Sequence, residues 1–326
     1  MNSTLSILGT GVYLPRAWPV RELAKAAGAD TAAYVGWEKV GVAECDNHPS
    51  TMGELALRQA LQQAQVAAED LSFVLSTGMS RDYLPSWSLA AEWMKNLGAS
   101  EHCWPLDITS GCMGALVGLD LALAVLAMRG GGYAAIGAAE KVSYTIDRSK
   151  VEKSQLWGHA DGAAAAIVSL NRSSKSRATF YGAEFVSMSA LNGTVLIKYG
   201  GTRHPSSAGK SPATRELIPP PGLDLRSAYI TGYTAAFNAI YSRFNQRPDT
   251  LICNQISENM VLLIAKAAGV APQDVTVTGH ETGHVGSADI LIGLDRHLAN
   301  GVISKPITLA ASTPYLFGAG LLGGTS

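Results

Sequence analysis

Along the chain, short unbroken apolar runs alternate with longer stretches whose apolar residues recur every three or four positions. The first pattern reads as strands covered on both faces, the second as amphipathic helices. LSILGTGVYL opens the chain with a strand, and TMGELALRQALQQAQV (51–66) sets a helical apolar stripe against a polar face. LSFVLSTG is a strand, SWSLAAEWMKNLG a helix stopped by glycine, and CWPLDITSG a strand again. CMGALVGLDLALAVLAMRGG follows as a helix ending in glycines, then YAAIGAAE and GAAAAIVSL as strands. Such alternation predicts an α/β fold with a parallel or mixed sheet.

The second half repeats this grammar. FNAIYSRFN and the turn at Pro248 lead into LICNQIS, a strand like LSFVLSTG; ENMVLLIAKAAGV is a helix and VTVTG a strand. HETGHVGSADILIGLDRHLANG is a turn running into a helix, and PITLAAS mirrors YAAIGAAE. The repeated order predicts two duplicated units, residues 1–172 and 173–326, with Cys112 and His284 near equivalent strand-to-helix turns. The Gly-, Ser- and Pro-rich stretch 195–225 reads as a long functional loop, and its prolines at 219–221 exclude regular helix or sheet there.

Bulk composition narrows the function classes. The 326 residues are 47% hydrophobic and 16% charged, which suits a large core. With 25 basic against 26 acidic residues, the net charge of −1 carries no signal for a nucleic-acid or membrane-surface partner. Cys45, Cys103, Cys112 and Cys253 are too scattered for a disulfide framework and read as free thiols of a reducing cytoplasm. MNSTLSILGTGVYLP lacks the basic and apolar regions of a signal peptide. LVGLDLALAVLAM, interrupted by Asp120 and ended at Arg129, is not expected to span a bilayer.

Candidate chemistry starts at DITSGCMGALVGLDLA (107–122). A cysteine at the first turn of a helix meets unpaired N–H groups and a dipole that favour the thiolate. Gly111 before it and Gly114 after it permit a tight turn and close substrate approach, the geometry of a nucleophile elbow. The plainer reading is a small buried hydrophobe at a crowded crossing. His280, Glu281 and His284 match the HExxH zinc pattern, but Gly283 interrupts the helix and no glutamate follows Glu281. That match is read as coincidence, and no metal is expected. His48, His102, His159, His204 and His297 have no constellation around them, and Cys253 reads as core packing. Arg203 and Lys210 read as ordinary solvated charges.

DITSGCMGALVGLDLA resembles the active-site segment of the β-ketoacyl-acyl-carrier-protein synthase III group of the thiolase superfamily. STMGELALRQAL (50–61), ADGAAAAIV (160–168) and FGAG (317–320) resemble further pieces of that family, in the same order. The resemblance spans nearly the whole chain and implies the five-layered αβαβα thiolase fold. It places the family's nucleophile at Cys112. The family's His-Gln-Ala-Asn motif falls on CNQISEN, so Asn254 stands where its histidine does. Its Tyr-Gly-Asn-Thr-Ser motif falls on ETGHVGSAD, which puts His284 at the asparagine position. The two residues have traded places.

The exchange has chemical consequences. In ordinary members, His and Asn donate hydrogen bonds to a thioester enolate, and losing one aimed donor costs about 10²–10³ in rate. A divergent, natural-product subset also moves the histidine, with Asp where Asn254 stands, and transfers acyl groups to hydroxyl or similar nucleophiles. The resemblance therefore implies an acyltransferase: Cys112 captures an acyl group and His284, oriented by Asn254, activates a hydroxyl, amine or thiol acceptor. The N–H groups of Cys112 and of Gly318, Ala319 and Gly320 are expected to form the oxyanion hole. The alternatives are decarboxylative condensation with a second acyl thioester, or a non-catalytic subunit of an active homologue. A coenzyme A mouth is expected at Trp37 and Lys39, where lysine would meet phosphate as a point charge. The donor is a thioester of acyl carrier protein or coenzyme A, no other cofactor is implied, and the family habit is a homodimer.

Overall fold

The computed structural model describes residues 3–84, 86–171, 173–205 and 214–324; Lys210 lies outside them. Ten strands make the main sheet: β1 (Leu5–Tyr13), β2 (Leu71–Ser76), β3 (Trp104–Asp107), β4 (Tyr133–Glu140), β5 (Gly162–Leu170), β6 (Ala178–Ser187), β7 (Thr250–Cys253), β8 (Val275–Thr276), β9 (Ile307–Thr313) and β10 (Leu316–Gly323). Their spatial order is β8-β7-β9-β10-β6-β1-β5-β4-β2-β3. The first half runs β3-β2-β4-β5-β1, and adding five to each label gives the second. The halves join through a short antiparallel seam in which Leu5, Ser6 and Ile7 face Phe180, Thr179 and Ala178.

Six helices complete the layers: α1 (Pro49–Ala64), α2 (Leu89–Leu97), α3 (Gly114–Arg129), α4 (Leu225–Phe244), α5 (Glu258–Ala268) and α6 (Asp289–Leu298). The side chains of β5 show how the layers are built. Ala164, Ala166 and Val168 enter a central core with α3 and α6, whereas Ala163, Ala165 and Ile167 meet α1 and α2 on the outer face. Period-two alternation with both faces apolar is what a strand between two helical layers requires. β9 and β10 repeat it against α4 and α5. The arrangement is the predicted αβαβα fold.

Helix α3 is apolar on nearly every side, and its buried residues run from Gly114 to Leu126 while Met128 in the last turn is exposed. Gly111–Arg129 has, by length and a mean hydropathy of 2.0 alone, what a membrane span needs, a test that a core helix passes as well; here it belongs to the central layer. Asp120, which had counted against a span, accepts a hydrogen bond from the Ala183 N–H of β6 at 3.1 Å. The stretch 195–225 is not wholly irregular. Val195–Ile197 and Arg215–Leu217 pair as a two-stranded ribbon, and α4 begins at Leu225. FGAG lies inside β10, where a Cβ on Gly318 would meet Met113 Cε at 2.5 Å and one on Gly320 would meet Leu116 Cδ1 at 2.8 Å. Close approach of α3, not turn formation, requires those glycines.

Candidate active site

After β3 the chain turns through Gly111, at φ +55°, into a 3-10 turn (Gly111–Met113) that runs into α3. A Cβ on Gly111 would strike Thr313 Cγ2 at 2.5 Å, and one on Gly114 the Thr77 carbonyl at 2.0 Å. The turn is thus wedged between the ends of β2 and β9, and only glycine fits on either side of Cys112. Cys112 itself stays partly exposed. This is the elbow that the local sequence suggested.

His284 arrives from the other half. The short helix Gly279–Thr282 ends at Gly283, whose φ is +74° and whose Cβ would collide with the Gly158 carbonyl at 2.8 Å. His284 then pairs with the chain before β5: its N–H donates to Gly158, and its carbonyl accepts from Ala160, both at 2.9 Å. This fixes a fully buried ring with Nε2 at 3.3 Å from Cys112 Sγ. Nδ1 faces Asp289 Oδ2 at 2.5 Å. Asp289, the first residue of α6, also accepts the N–H groups of Val285 (2.8 Å) and Gln255 (2.7 Å). Burial pushes the imidazole pKa down, but the Asp289 charge, then the Cys112 sulfur, outweigh it and hold the value up at about 10. The imidazole therefore keeps its proton at neutral pH, beside the sulfur.

Asn254 does not orient His284. Its Nδ2 donates to the carbonyls of Cys112 (3.2 Å) and Gly286 (3.3 Å), and its Oδ1 accepts from the Ser312 N–H at 2.8 Å. The amide straps the elbow to β9 and to the turn before α6. The role expected of it falls to Asp289, five residues beyond His284 across a turn whose geometry the sequence left undetermined.

Other expectations change as well. Trp37 is 1% exposed, donates from Nε1 to the Gln255 carbonyl (2.6 Å) and packs edge-on against His280. It is a core residue and offers no stacking face at a mouth. Lys39 is exposed, on a short strand Lys39–Gly41. Gly318, Ala319 and Gly320 lie in an interior strand paired with β9 and β6, so their N–H groups are directed into the sheet rather than at Cys112. His280 and His284 share no helical face, because the helix stops between them, and Glu281 pairs with Arg296 at 2.6 Å.

Several residues of the site gave no signal in the sequence. His159, read as an isolated histidine, sets its ring 4.9 Å from that of His284 at 75°, and its Nδ1 donates to the Leu156 carbonyl at 2.9 Å. Burial, then the neighbouring His284, push its pKa well below the ordinary value. Glu140, at the end of β4, is fully buried and accepts from Met79 N (3.0 Å), from Ser80 N (3.1 Å) and Oγ (2.9 Å), and from Ser287 Oγ (2.8 Å). Gln255 accepts the N–H groups of Thr278 (3.1 Å) and Gly279 (3.0 Å). Apart from the bond of His159 to Leu156, each joins segments far apart in the chain.

Comparison with known proteins agrees with this architecture. Residues 106–187 match the model of 3-oxoacyl-[acyl-carrier-protein] synthase III, and 245–326 match that of its C-terminal part. The β-ketoacyl-[acyl-carrier-protein] synthase III of Nitratidesulfovibrio vulgaris is 25% identical over 274 residues, 83% of this chain and 81% of that protein. An acyl-CoA:acyl-CoA alkyltransferase of Xanthomonas campestris is 35% identical over 81 residues, 25% of this chain and 24% of that one. Among solved structures, a variant of Xanthomonas campestris OleA aligns at a TM-score of 0.82 with 20% identity, over 98% of each chain. The 3-oxoacyl-[acyl-carrier-protein] synthase III of Aquifex aeolicus aligns at 0.83 with 18% identity, over 98% of this chain and 99% of that one. The matched segments contain the Cys112 turn on one side and the His284 turn on the other, and the chain belongs to the β-ketoacyl-acyl-carrier-protein synthase III-like branch of the thiolase superfamily.

Proposed function

We propose that this protein is an acyltransferase that takes an acyl group from a thioester of coenzyme A or acyl carrier protein onto Cys112 and passes it to a hydroxyl, amine or thiol. The observation that carries the reading is the continuous relay Cys112–His284–Asp289, at 3.3 and 2.5 Å. Cys112 attacks the thioester carbonyl as thiolate, with the protonated imidazole of His284 beside it. The C–S bond to the carrier breaks, and the departing thiolate takes the proton from His284. Once Cys112 is acylated, one of the two groups that raise the imidazole pKa is gone, and His284 is a neutral base. It removes the proton of the acceptor, which attacks the acyl group and restores thiolate and imidazolium. Asp289 holds the productive tautomer throughout, the function of the third member of a triad.

Two features favour transfer over condensation. The donors of Asn254 are engaged by backbone carbonyls, and a histidine tied to a carboxylate suits proton removal. A cavity of about 630 Å³ near the elbow is lined by charged as well as apolar groups, Met79, Arg81, Asp82, Trp87, Asp107 and Thr109 among them, and Cys112 is not one of its lining residues. Condensation stands as the second reading because of the synthase and alkyltransferase named among its relatives. The test offers malonyl, acetyl and medium-chain thioesters and follows intact mass together with carbon dioxide. An acyl adduct on Cys112 without carbon dioxide, discharged by an alcohol or amine, is the expected result. Carbon dioxide release with a lengthened product would establish condensation instead.

A further inference from the structure

Two arginines, Arg148 and Arg215, lie close in charge to His159, and neither forms an ion pair among the described residues. Arg148 donates through Nη2 to the carbonyls of Trp157 and His159, each at 3.1 Å, and its buried Nε has no partner among the described residues. Arg215, on the ribbon strand Arg215–Leu217, is only 7% exposed. The residues on either side of it face the turn Val151–Leu156, where Lys153 Nζ reaches Thr214 Oγ1 at 3.3 Å and Glu216 at 4.0 Å. Side chains alternate along a strand, so Arg215 turns to the opposite, covered face. The same turn ends at Leu156, whose carbonyl holds His159. The Arg215 charge is close enough to His159 to disfavour its protonation.

Every Asp and Glu of the chain is among the described residues, and none of the ion pairs they form includes Arg148 or Arg215. Asp161, which accepts from Ala43 N (2.9 Å), Ser143 N (2.8 Å) and Ser143 Oγ (2.6 Å), offsets part of the Arg148 charge, whereas no acid pairs with Arg215 among the described residues. A buried cation without a counter-ion is costly, and arginine does not shed its proton to relieve that cost. An anion brought by the substrate supplies the balance.

We propose that Arg215, backed by Arg148, is an anion-recognition site that takes a carboxylate carried by the small-molecule substrate. A guanidinium offers a planar fork that fits a carboxylate in two parallel hydrogen bonds. The carboxylate has two sources, the acyl group (as in a malonyl thioester) or the acceptor (as in a hydroxy acid). Its place in the reaction rests on the acyl-transfer reading; its binding does not.

Two measurements separate these questions. Calorimetric titration of the full chain compares malonate and 3-hydroxybutyrate with their amides. The carboxylates are expected to bind and the amides not, with Arg215→Gln weakening the carboxylates about tenfold or more and Arg215→Lys less. Failure of the wild type to bind either carboxylate, or unchanged affinity in Arg215→Gln, overturns the site. The second measurement follows acylation of Cys112 by malonyl and acetyl thioesters of N-acetylcysteamine, which carries no phosphate. Selective loss of malonyl acylation in Arg215→Gln assigns the carboxylate to the acyl group. Intact acylation with lost discharge by 3-hydroxybutyrate assigns it to the acceptor. A defect confined to coenzyme A thioesters means a phosphate contact and refutes the proposal. If no thioester acylates the wild type, the acyl-transfer reading fails while the calorimetry still decides the carboxylate site.

Discussion

His284 sits between a sulfur and a carboxylate, and its chemistry follows from which of the two is charged. Asp289 accepts three hydrogen bonds, one of them from the imidazole, so replacing it by an amide puts N–H groups where only an acceptor fits. Asp289→Asn is expected to lower acyl transfer about 10³–10⁴-fold, as when a triad carboxylate is neutralised. Alkylation of Cys112 by iodoacetamide at pH 7 should slow in the same variant, because the imidazolium loses its counter-charge. Unchanged rates in both assays would mean that Asp289 only anchors α6. Asn254 teaches a related point. A side chain with two donors and one acceptor, all used on the backbone, is a brace, even where the family resemblance suggested an orienting group.

At the scale of elements, glycines next to helices serve different ends. Gly98 ends α2 in the left-handed region, and a Cβ there would have nothing within 4 Å, so Gly98→Ala should cost only about 1 kcal/mol of backbone strain. Gly114 lies at the start of α3, where a methyl group would meet the rigid Thr77 carbonyl at 2.0 Å. Gly114→Ala should cost about 3 kcal/mol by overpacking and displace the elbow, read by denaturant unfolding and by loss of Cys112 acylation. Equal effects of the two substitutions would refute this distinction. The contrast between α3 and β10 carries the same lesson. Both are built of small apolar residues, and only the neighbours decide that one is a helix packed between the two halves of the sheet and the other a strand pressed by that helix.

Over the whole molecule, the site is a joint between halves. Glu140 binds the segment after β2 to the turn before α6, and with both oxygens receiving donors, Glu140→Gln should destabilise the fold by about 3 kcal/mol. A variant as stable as wild type in denaturant unfolding would show that the two segments hold without it. The raised pKa of His284 also links folding to pH. The folded state binds that proton more tightly than the unfolded chain, so its contribution is complete below about 6.5, the unfolded value, and is lost as pH rises toward 10. The melting temperature of wild type should therefore fall more steeply between those limits than that of His284→Asn; parallel curves would count against the shift.

What the amino-acid order determined alone was local. Spacing of two or of three to four residues marked most strands and helices, repetition of that pattern marked the duplication, and Gly111-Cys112 at a strand-to-helix junction marked the elbow. These depend on neighbours a few positions apart, and the chain's own sterics and apolar faces settle them. The tertiary structure decided who meets whom. Asp289 and not Asn254 reaches the imidazole, His159 meets it edge-on, Trp37 turns inward, and the glycines at 318 and 320 lie inside a strand. Each of those outcomes depends on where the turns place groups from separate segments, and a hydrogen bond is lost within an ångström of misplacement, a precision that periodicity does not encode.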